Sequence, residues 1–194
     1  MKKYYPRISD KILEEALESA GAVLIEGPKW SGKTWTAAKK SKSILYMQDP
    51  DTRESNIQAA SVKPSLLLKG EKPRLIDEWQ VAPVLWDSVR HEVDMRGEEG
   101  QFILTGSATP IIDKQISHTG TGRFSRIKMR PMSLYESNES IGWVSLKKLF
   151  EQNHDVESIS NLEIEGIAKS IVRGGWPASV TSKPEVASKR AQDY

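Results

Sequence analysis

The chain has 194 residues, of which 28 are basic and 26 are acidic, so its formal net charge is +2. This balance gives no support to nucleic-acid binding through bulk charge. The absence of cysteine excludes disulfides, zinc–thiolate centres and cysteine nucleophiles. The length suits one domain, or one domain with part of a second, and is ample for a hydrophobic core.

The first residues include lysines but no apolar segment after them, so the sequence predicts no signal peptide. No stretch approaches the run of about 18 apolar residues that a membrane span needs. Together with the lack of cysteine, these features lead us to expect a cytoplasmic protein without a membrane anchor.

Helices and short apolar strands alternate in the first two thirds of the chain. A helix is predicted from Ser9 or Asp10 to Ala20, followed by a strand at residues 22–25 and a helix at 34–40. The further predicted elements are strands at 44–47, 75–76, 102–104 and 123–129, a helical stretch at 52–69 broken near Pro64, and a helix from Pro83. This alternation predicts an α/β domain with a mostly parallel sheet flanked by helices.

The helical period also predicts which side chains of two helices face the core. The apolar residues expected on these buried faces are Ile12, Leu13, Ala16, Leu17 and Ala20 in the first helix, and Val84, Leu85, Val89 and Val93 in the helix after Pro83.

The composition changes near Ser145, where three short helices are predicted: Ser145 to Phe150, Asn161 to Arg173, and from Pro184 onward. We therefore predict an α/β core at residues 1–137 and a small helical part at 138–194. The last predicted helix has no cap before Tyr194, which favours a fragment of a longer protein over a frayed natural terminus.

The segment from Gly27 to Thr34 reads Gly-Pro-Lys-Trp-Ser-Gly-Lys-Thr. This is a complete phosphate-binding loop, the Walker A motif, with the strand before it and the helix after it that the motif requires. Its glycines let successive N–H groups turn toward an anion, and the helix N-terminus adds its dipole. The residues predicted to bind the nucleotide are Gly27, Pro28, Lys29, Trp30, Ser31, Gly32, Lys33 and Thr34.

Two of these residues have individual roles in such a loop. We expect the Lys33 ammonium to contact the β- and γ-phosphates and the Thr34 hydroxyl to ligate Mg²⁺.

A second motif, Pro73-Arg74-Leu75-Ile76-Asp77-Glu78, resembles Walker B. Apolar residues bury the strand, and two carboxylates follow at its carboxyl end, where ligands bind in open α/β sheets. We expect Asp77 to hold Mg²⁺, directly or through water, and Glu78 to orient and deprotonate the attacking water. A solvated turn is the alternative, and the complete Walker A motif upstream argues against it.

Thr105 and Ser107 follow the strand at 102–104. A hydroxyl there would hydrogen-bond the γ-phosphate or the attacking water, and we assign this catalytic role to Thr105. A plain turn at Gly106 is the alternative.

The segment from His118 to Arg123 is a glycine-rich loop that ends in an arginine. Arg123, and Arg126 after it, are candidates to stabilise charge on the transferring phosphoryl group, from the same subunit or from a neighbouring one. A surface ion pair is the alternative for both arginines. His118 is expected to serve the structure of the loop.

Six tryptophans are many for this length. Trp30 lies in the phosphate loop and Trp79 follows Glu78, so either could flank a nucleotide. Packing is the role that we favour for both.

The order of these signatures resembles that of the prokaryotic AAA-type P-loop ATPases. The resemblance rests on five pieces in combination: residues 27–34, Leu75-Ile76-Asp77-Glu78-Trp79-Gln80, Leu104-Thr105-Gly106-Ser107, Gly122-Arg123 and Pro131-Met132-Ser133-Leu134-Tyr135-Glu136. It implies an additional-strand P-loop fold, with the strand that carries Asp77 between other core strands. It also implies ATP as the nucleotide, and the sequence contains no guanine-recognition motif.

Members of that family typically join an N-terminal ATPase domain to a C-terminal domain of uncharacterised role. The segment Gly174-Gly175-Trp176-Pro177 resembles the linker where the two parts meet. The resemblance implies that the C-terminal effector domain is missing from this chain. ATP is the expected partner, and a homo-oligomer is compatible with an arginine supplied by a neighbour.

Three functions fit this sequence. The first is an Mg²⁺-dependent ATPase that couples hydrolysis to a conformational change in a C-terminal effector domain. The second is a switch module that is gated by nucleotide occupancy and hydrolyses ATP only incidentally, and the third is a P-loop kinase. Because Glu78 directly follows Asp77, the sequence favours water activation over transfer to a substrate, and the ATPase is our first hypothesis.

Overall fold

A parallel sheet is the centre of the computed structural model, which describes residues 4–107, 120–151, 157 and 159–193. Within these residues the strands are β1 (Ala22–Gly27), β2 (Ser43–Tyr46), β3 (Arg74–Asp77), β4 (Phe102–Ser107) and β5 (Phe124–Lys128). They stand in the order β2-β3-β4-β1-β5, and every neighbouring pair is parallel. The predicted α/β class with a mostly parallel sheet is therefore confirmed.

The strand order is that of an additional-strand P-loop fold. The strand that carries Asp77, β3, lies between β2 and β4, and β4 separates it from β1, which leads into the phosphate loop. This is the arrangement that the family resemblance implied. It brings the carboxyl ends of β3, β4 and β1 side by side.

Helices cover both faces of the sheet: α1 (Ile8–Ser19) and α2 (Lys33–Lys40) on one, α3 (Arg53–Val62) and α4 (Val84–Arg96) on the other. Alternate residues of β1 divide between the faces, because successive side chains of a strand point in opposite directions. Val23 and Ile25 pack with α1 and α2, and Leu24 packs with α3 and α4. A strand buried on both faces explains the continuous apolar run at residues 22–25.

The helix predictions are correct for most buried positions and wrong at two. Leu13, Leu85 and Val89 are fully buried as expected, but Ile12 and Val84 are each 45% exposed. Val84 is the first residue of its helix, and Ile12 lies at the edge of the apolar stripe of α1. The stripe that faces the sheet is therefore narrower than the periodicity suggested.

The chain divides into two compact units. The sheet unit is Ile8–Arg130, and the helical unit combines Met1–Arg7 with Pro131–Tyr194. The domain boundary predicted between residues 137 and 138 stays a prediction. Among the residues that the structure describes, no helix has the length and apolar character needed to cross a membrane.

The helical unit contains α5 (Leu146–Phe150), α6 (Ile164–Arg173), α7 (Pro177–Val180) and α8 (Pro184–Gln192). Helix α6 begins after Glu163 instead of at Asn161, and α7 was not predicted. Pro177 stands in the first turn of α7, where its missing N–H leaves no helical hydrogen bond unmade.

A buried ion pair joins the two chain segments of the helical unit. Arg7 Nε donates to Glu136 Oε1 at 2.9 Å, and the two side chains are only 4% and 7% exposed. The other carboxylate oxygen, Oε2, accepts hydrogen bonds from the N–H of Ser133 at 2.8 Å and from its hydroxyl at 3.1 Å. Arg7 is thus bound by a carboxylate whose second oxygen also accepts hydrogen bonds.

We expect Glu136→Ala to lower the free energy of unfolding by about 3–5 kcal/mol, because it leaves the Arg7 charge buried without its counter-ion. Urea unfolding followed by circular dichroism measures the change. The double variant Arg7→Met/Glu136→Leu should recover most of the loss, because it removes both charges. The matched control is Lys11→Met, which breaks an exposed pair with Glu15 and should change stability by less than about 1 kcal/mol. An equally small effect of Glu136→Ala would contradict this account of the pair.

Candidate nucleotide-binding site

The phosphate loop takes the backbone path that its glycines allow. Gly27 has a φ of 155°, and a Cβ placed on it would lie 2.2 Å from the carbonyl oxygen of Met129. Gly32, directly before α2, has a φ of 100° and a ψ of 12°. A side chain is strained at either position, so the two glycines of the motif are required by local geometry.

Lys33 is the first residue of α2 and its side chain folds back over the loop. Its Nζ donates to the carbonyl oxygens of Gly27 at 3.0 Å and Pro28 at 2.9 Å. The residue is 5% exposed. Burial lowers the pKa of the Lys33 ammonium, and the negative charges of Glu78 and Asp77 oppose that shift.

Asp77 is held by two threonines from two neighbouring segments. The hydroxyls of Thr34 and Thr105 both donate to Asp77 Oδ1, at 2.7 and 2.6 Å. Register explains the second contact, because Asp77 of β3 stands opposite Thr105 of β4. We call these three residues the Asp77 cluster.

The structure gives Thr105 a contact that the sequence did not indicate. Its side chain is fully buried, and its hydroxyl donates to Asp77. The structure therefore gives Thr105 a contact through which it orients a carboxylate. Its predicted contact with the γ-phosphate or water stays a prediction, and the Ser107 side chain lies outside what the structure describes.

Glu78 directly follows β3 and adopts a left-handed backbone, with a φ of 56° and a ψ of 48°. This conformation is uncommon for a residue other than glycine, and strained residues of this kind cluster at functional sites. Gln80 Nε2 donates to Glu78 Oε2. Gln80 belongs to the signature at residues 75–80, but its contact with Glu78 was not predicted.

The two tryptophans of the site have different environments. Trp79 is buried, and its ring centroid lies 5.2 Å from that of Trp86. Trp30, in the loop, is 69% exposed and has a left-handed φ of 61°. The packing role that we favoured for both therefore describes Trp79 and not Trp30.

The structure does not bring Arg123 to the phosphate loop. The N–H of Ala22, at the start of β1, donates to the carbonyl oxygen of Arg123 at 3.1 Å. Arg123 thus lies at the amino end of the sheet, whereas the loop begins at Gly27, the last residue of β1. Ala22 and Gly27 are five residues apart in β1, which corresponds to about 17 Å along the strand. This distance is more than an arginine side chain can span.

Both candidate arginines have partners within the sheet unit. Arg123 Nε donates to Asp94 Oδ1 at 2.7 Å, and this hydrogen bond lowers the pKa of Asp94. Arg126 Nη1 lies 3.6 Å from Glu26 Oε1, and its guanidinium carbon is 5.5 Å from the Trp86 ring centroid. The structure therefore places Arg123 away from the phosphate loop of its own subunit, and its catalytic role stays a prediction. His118 lies outside the described residues.

The residues that are present fit a magnesium nucleotide. The left-handed turn at Gly32 leads directly into α2, so the first N–H groups of that helix lie beside the loop. Next to them are a hydroxyl and a carboxylate, the oxygen donors that Mg²⁺ prefers. The donor set and the loop therefore suit a phosphate chain and a hard cation.

A family model described as an AAA domain matches residues 19–138. The chain belongs to this family. The match covers the phosphate loop, both carboxylates and all five described strands of the sheet. A search of curated proteins found no match.

Membership of the AAA family establishes the general character of the site: it is that of a nucleotide-binding, ATPase-type domain. The parallel sheet and its strand order agree with this family assignment. The roles predicted for individual residues stay predictions.

We expect Arg123→Ala to leave the nucleotide affinity of the AAA domain unchanged, because the side chain lies at the opposite end of the sheet. Titration of dilute protein with a fluorescent ATP analogue measures this affinity. If a neighbouring copy supplies the arginine, turnover per subunit should rise with protein concentration, and a mixture of Arg123→Ala with Glu78→Gln protein should regain turnover. A loss of affinity in dilute Arg123→Ala protein would contradict the observed position.

Proposed function

We propose that this AAA domain binds ATP with Mg²⁺ and hydrolyses it. The observation that carries the proposal is the Asp77 cluster, in which the hydroxyls of Thr34 and Thr105 converge on one carboxylate oxygen beside the phosphate loop. A loop alone would support nucleotide binding only. Asp77 would supply a metal ligand, and Glu78, the next residue, would supply a base at the same edge of the sheet.

Thr34 and Asp77 would hold the cation, one through its hydroxyl and the other through its carboxylate or an intervening water. When bound, Mg²⁺ neutralises charge on the β- and γ-phosphates. Because Asp77 Oδ1 already accepts two hydrogen bonds, its carboxylate plane is fixed. The second oxygen, Oδ2, is then oriented without further loss of side-chain freedom.

Lys33 would exchange its present acceptors for phosphate oxygens. Its ammonium donates to two carbonyl groups of the loop, and phosphate oxygens are stronger acceptors for a charged donor. Burial lowers the pKa of this ammonium, and the negative charges of Glu78 and Asp77 oppose that shift.

Glu78 would accept the proton of the attacking water. It directly follows the metal-binding carboxylate, and Gln80 holds one of its oxygens. This arrangement supports hydrolysis over transfer to an acceptor substrate, because a carboxylate next to the proposed metal ligand Asp77 would act on a water beside the cation. Coupling of hydrolysis to a C-terminal effector domain is part of the proposal and rests on the family resemblance.

We expect Lys33→Ala to weaken ATP binding by about 10- to 100-fold, the loss of a hydrogen bond from a charged donor. Titration with a fluorescent ATP analogue checks the change. Lys69→Ala is the matched control, since Lys69 is an exposed lysine outside the loop. Equal affinities for wild type and Lys33→Ala would remove Lys33 from the binding site.

Glu78→Gln should retain ATP affinity and lower turnover by about 10²- to 10⁴-fold, because the amide cannot accept a proton. Phosphate release without any acceptor substrate measures turnover and separates the ATPase from a kinase. Wild-type turnover in this variant would exclude Glu78 as the base. Tight binding without turnover in the wild-type protein would favour the switch module.

Asp77→Asn should raise the Mg²⁺ concentration needed for half-maximal ATP binding, because an amide is a weaker ligand for a hard cation. A magnesium titration at fixed nucleotide concentration gives the midpoint. Asp51→Asn, at an exposed turn, is the control. Identical midpoints for Asp77→Asn and wild type would contradict the metal assignment.

A further inference from the structure

The carboxamide of Gln80 lies between a carboxylate and a glycine. Its Nε2 donates to Glu78 Oε2. Its Oε1 lies against the backbone of Gly106, since a Cβ built on that glycine would be 2.6 Å away from this oxygen. The same Cβ would approach the indole nitrogen of Trp79 to 3.1 Å.

The absence of a side chain at residue 106 makes room for this arrangement. Real Cβ contacts are never as short as 2.6 Å, so any other residue at this position would displace the carboxamide. Gly106 directly follows Thr105 on β4. One strand thus supports both carboxylates of the site: Asp77 through the Thr105 hydroxyl, and Glu78 through the carboxamide that packs on Gly106.

We propose that Gln80 is a positioning residue for Glu78, and that Gly106 provides the space that sets the orientation of the Gln80 amide. The inference rests on the proposed function, in which Glu78 accepts a proton from water. The hydrogen bond engages Oε2 and would leave Oε1 to accept the proton.

The turn that carries both residues explains why such a contact is needed. Glu78 has a left-handed backbone, and the N–H of Val81 donates to its carbonyl oxygen at 3.0 Å to close a single turn of 3₁₀ helix at Trp79–Val81. The carboxylate therefore leaves the sheet on a short turn outside the β ladder. A side-chain hydrogen bond restricts the rotamers of Glu78 beyond the limits that its backbone sets.

Steady-state kinetics of Gln80→Met test the inference. Methionine has a similar length but no donor, so kcat should fall about tenfold while KM stays unchanged, as expected for the loss of one hydrogen bond to a charged group. Gln58→Met, at an exposed position of α3, is the control and should keep the wild-type kcat. A wild-type kcat in Gln80→Met would overturn the inference.

A double-variant comparison tests the role of Gly106. Gly106→Ala should lower kcat in the wild-type background, because its Cβ displaces the Gln80 amide. In the Gln80→Ala background the same substitution should have a much smaller effect, because the displaced oxygen is absent. Equal effects in the two backgrounds would show that Gly106 does not act through Gln80.

The hydrogen bond has a signature that does not depend on catalysis. In nucleotide-free protein with ¹⁵N-labelled glutamine, the Gln80 side-chain amide signal is identified by its loss in Gln80→Met. We expect it to shift in Glu78→Ala protein, while the Gln58 amide signal stays in place and reports an intact fold. A Gln80 signal that does not change in Glu78→Ala would overturn the contact.

The two readouts separate this inference from the proposed function. If wild-type protein releases no phosphate, the ATPase assignment fails, and the amide signal still decides whether Gln80 holds Glu78. If wild type turns over and Glu78→Gln does not, an unchanged kcat in Gln80→Met overturns the role of Gln80 alone.

Discussion

The site depends on one carboxylate oxygen, Asp77 Oδ1, which accepts hydrogen bonds from the hydroxyls of Thr34 and Thr105. These donors come from helix α2 and strand β4, so the contact ties the phosphate loop to two strands of the sheet. It exists because the parallel register sets Asp77 opposite Thr105. A slip by one residue would turn Asp77 to the other face of the sheet and break both hydrogen bonds.

The strand order determines which groups can reach the nucleotide. Since all the strands in the described residues are parallel, their carboxyl ends share one edge, and the loop, Asp77 and Glu78 lie there together. Arg123 precedes β5 and lies at the other edge, paired with Asp94. The fold thus separates Arg123 from the phosphate loop and the two carboxylates of the same chain.

The sequence predicted the elements whose chemistry lies in contiguous residues: the loop, the Asp77-Glu78 pair and the alternation that gives the sheet. It did not predict contacts that depend on backbone conformation or register. The link between Gln80 and Glu78 requires a left-handed residue that no pattern indicated. The position of Arg123 was within reach of sequence reasoning, because a residue that precedes a strand of a parallel sheet lies at the amino edge, away from the loop.

The most direct test is a crystal structure of the chain with a non-hydrolysable ATP analogue and Mn²⁺, whose anomalous signal locates the cation. The account predicts the phosphates in the loop from Gly27 to Thr34, with Lys33 Nζ on their oxygens. It also predicts the Mn²⁺ peak at about 2.2 Å from Thr34 Oγ1, with Asp77 as a direct or water-mediated ligand. A cation without contact to Thr34 or Asp77, or phosphates bound elsewhere, would contradict it.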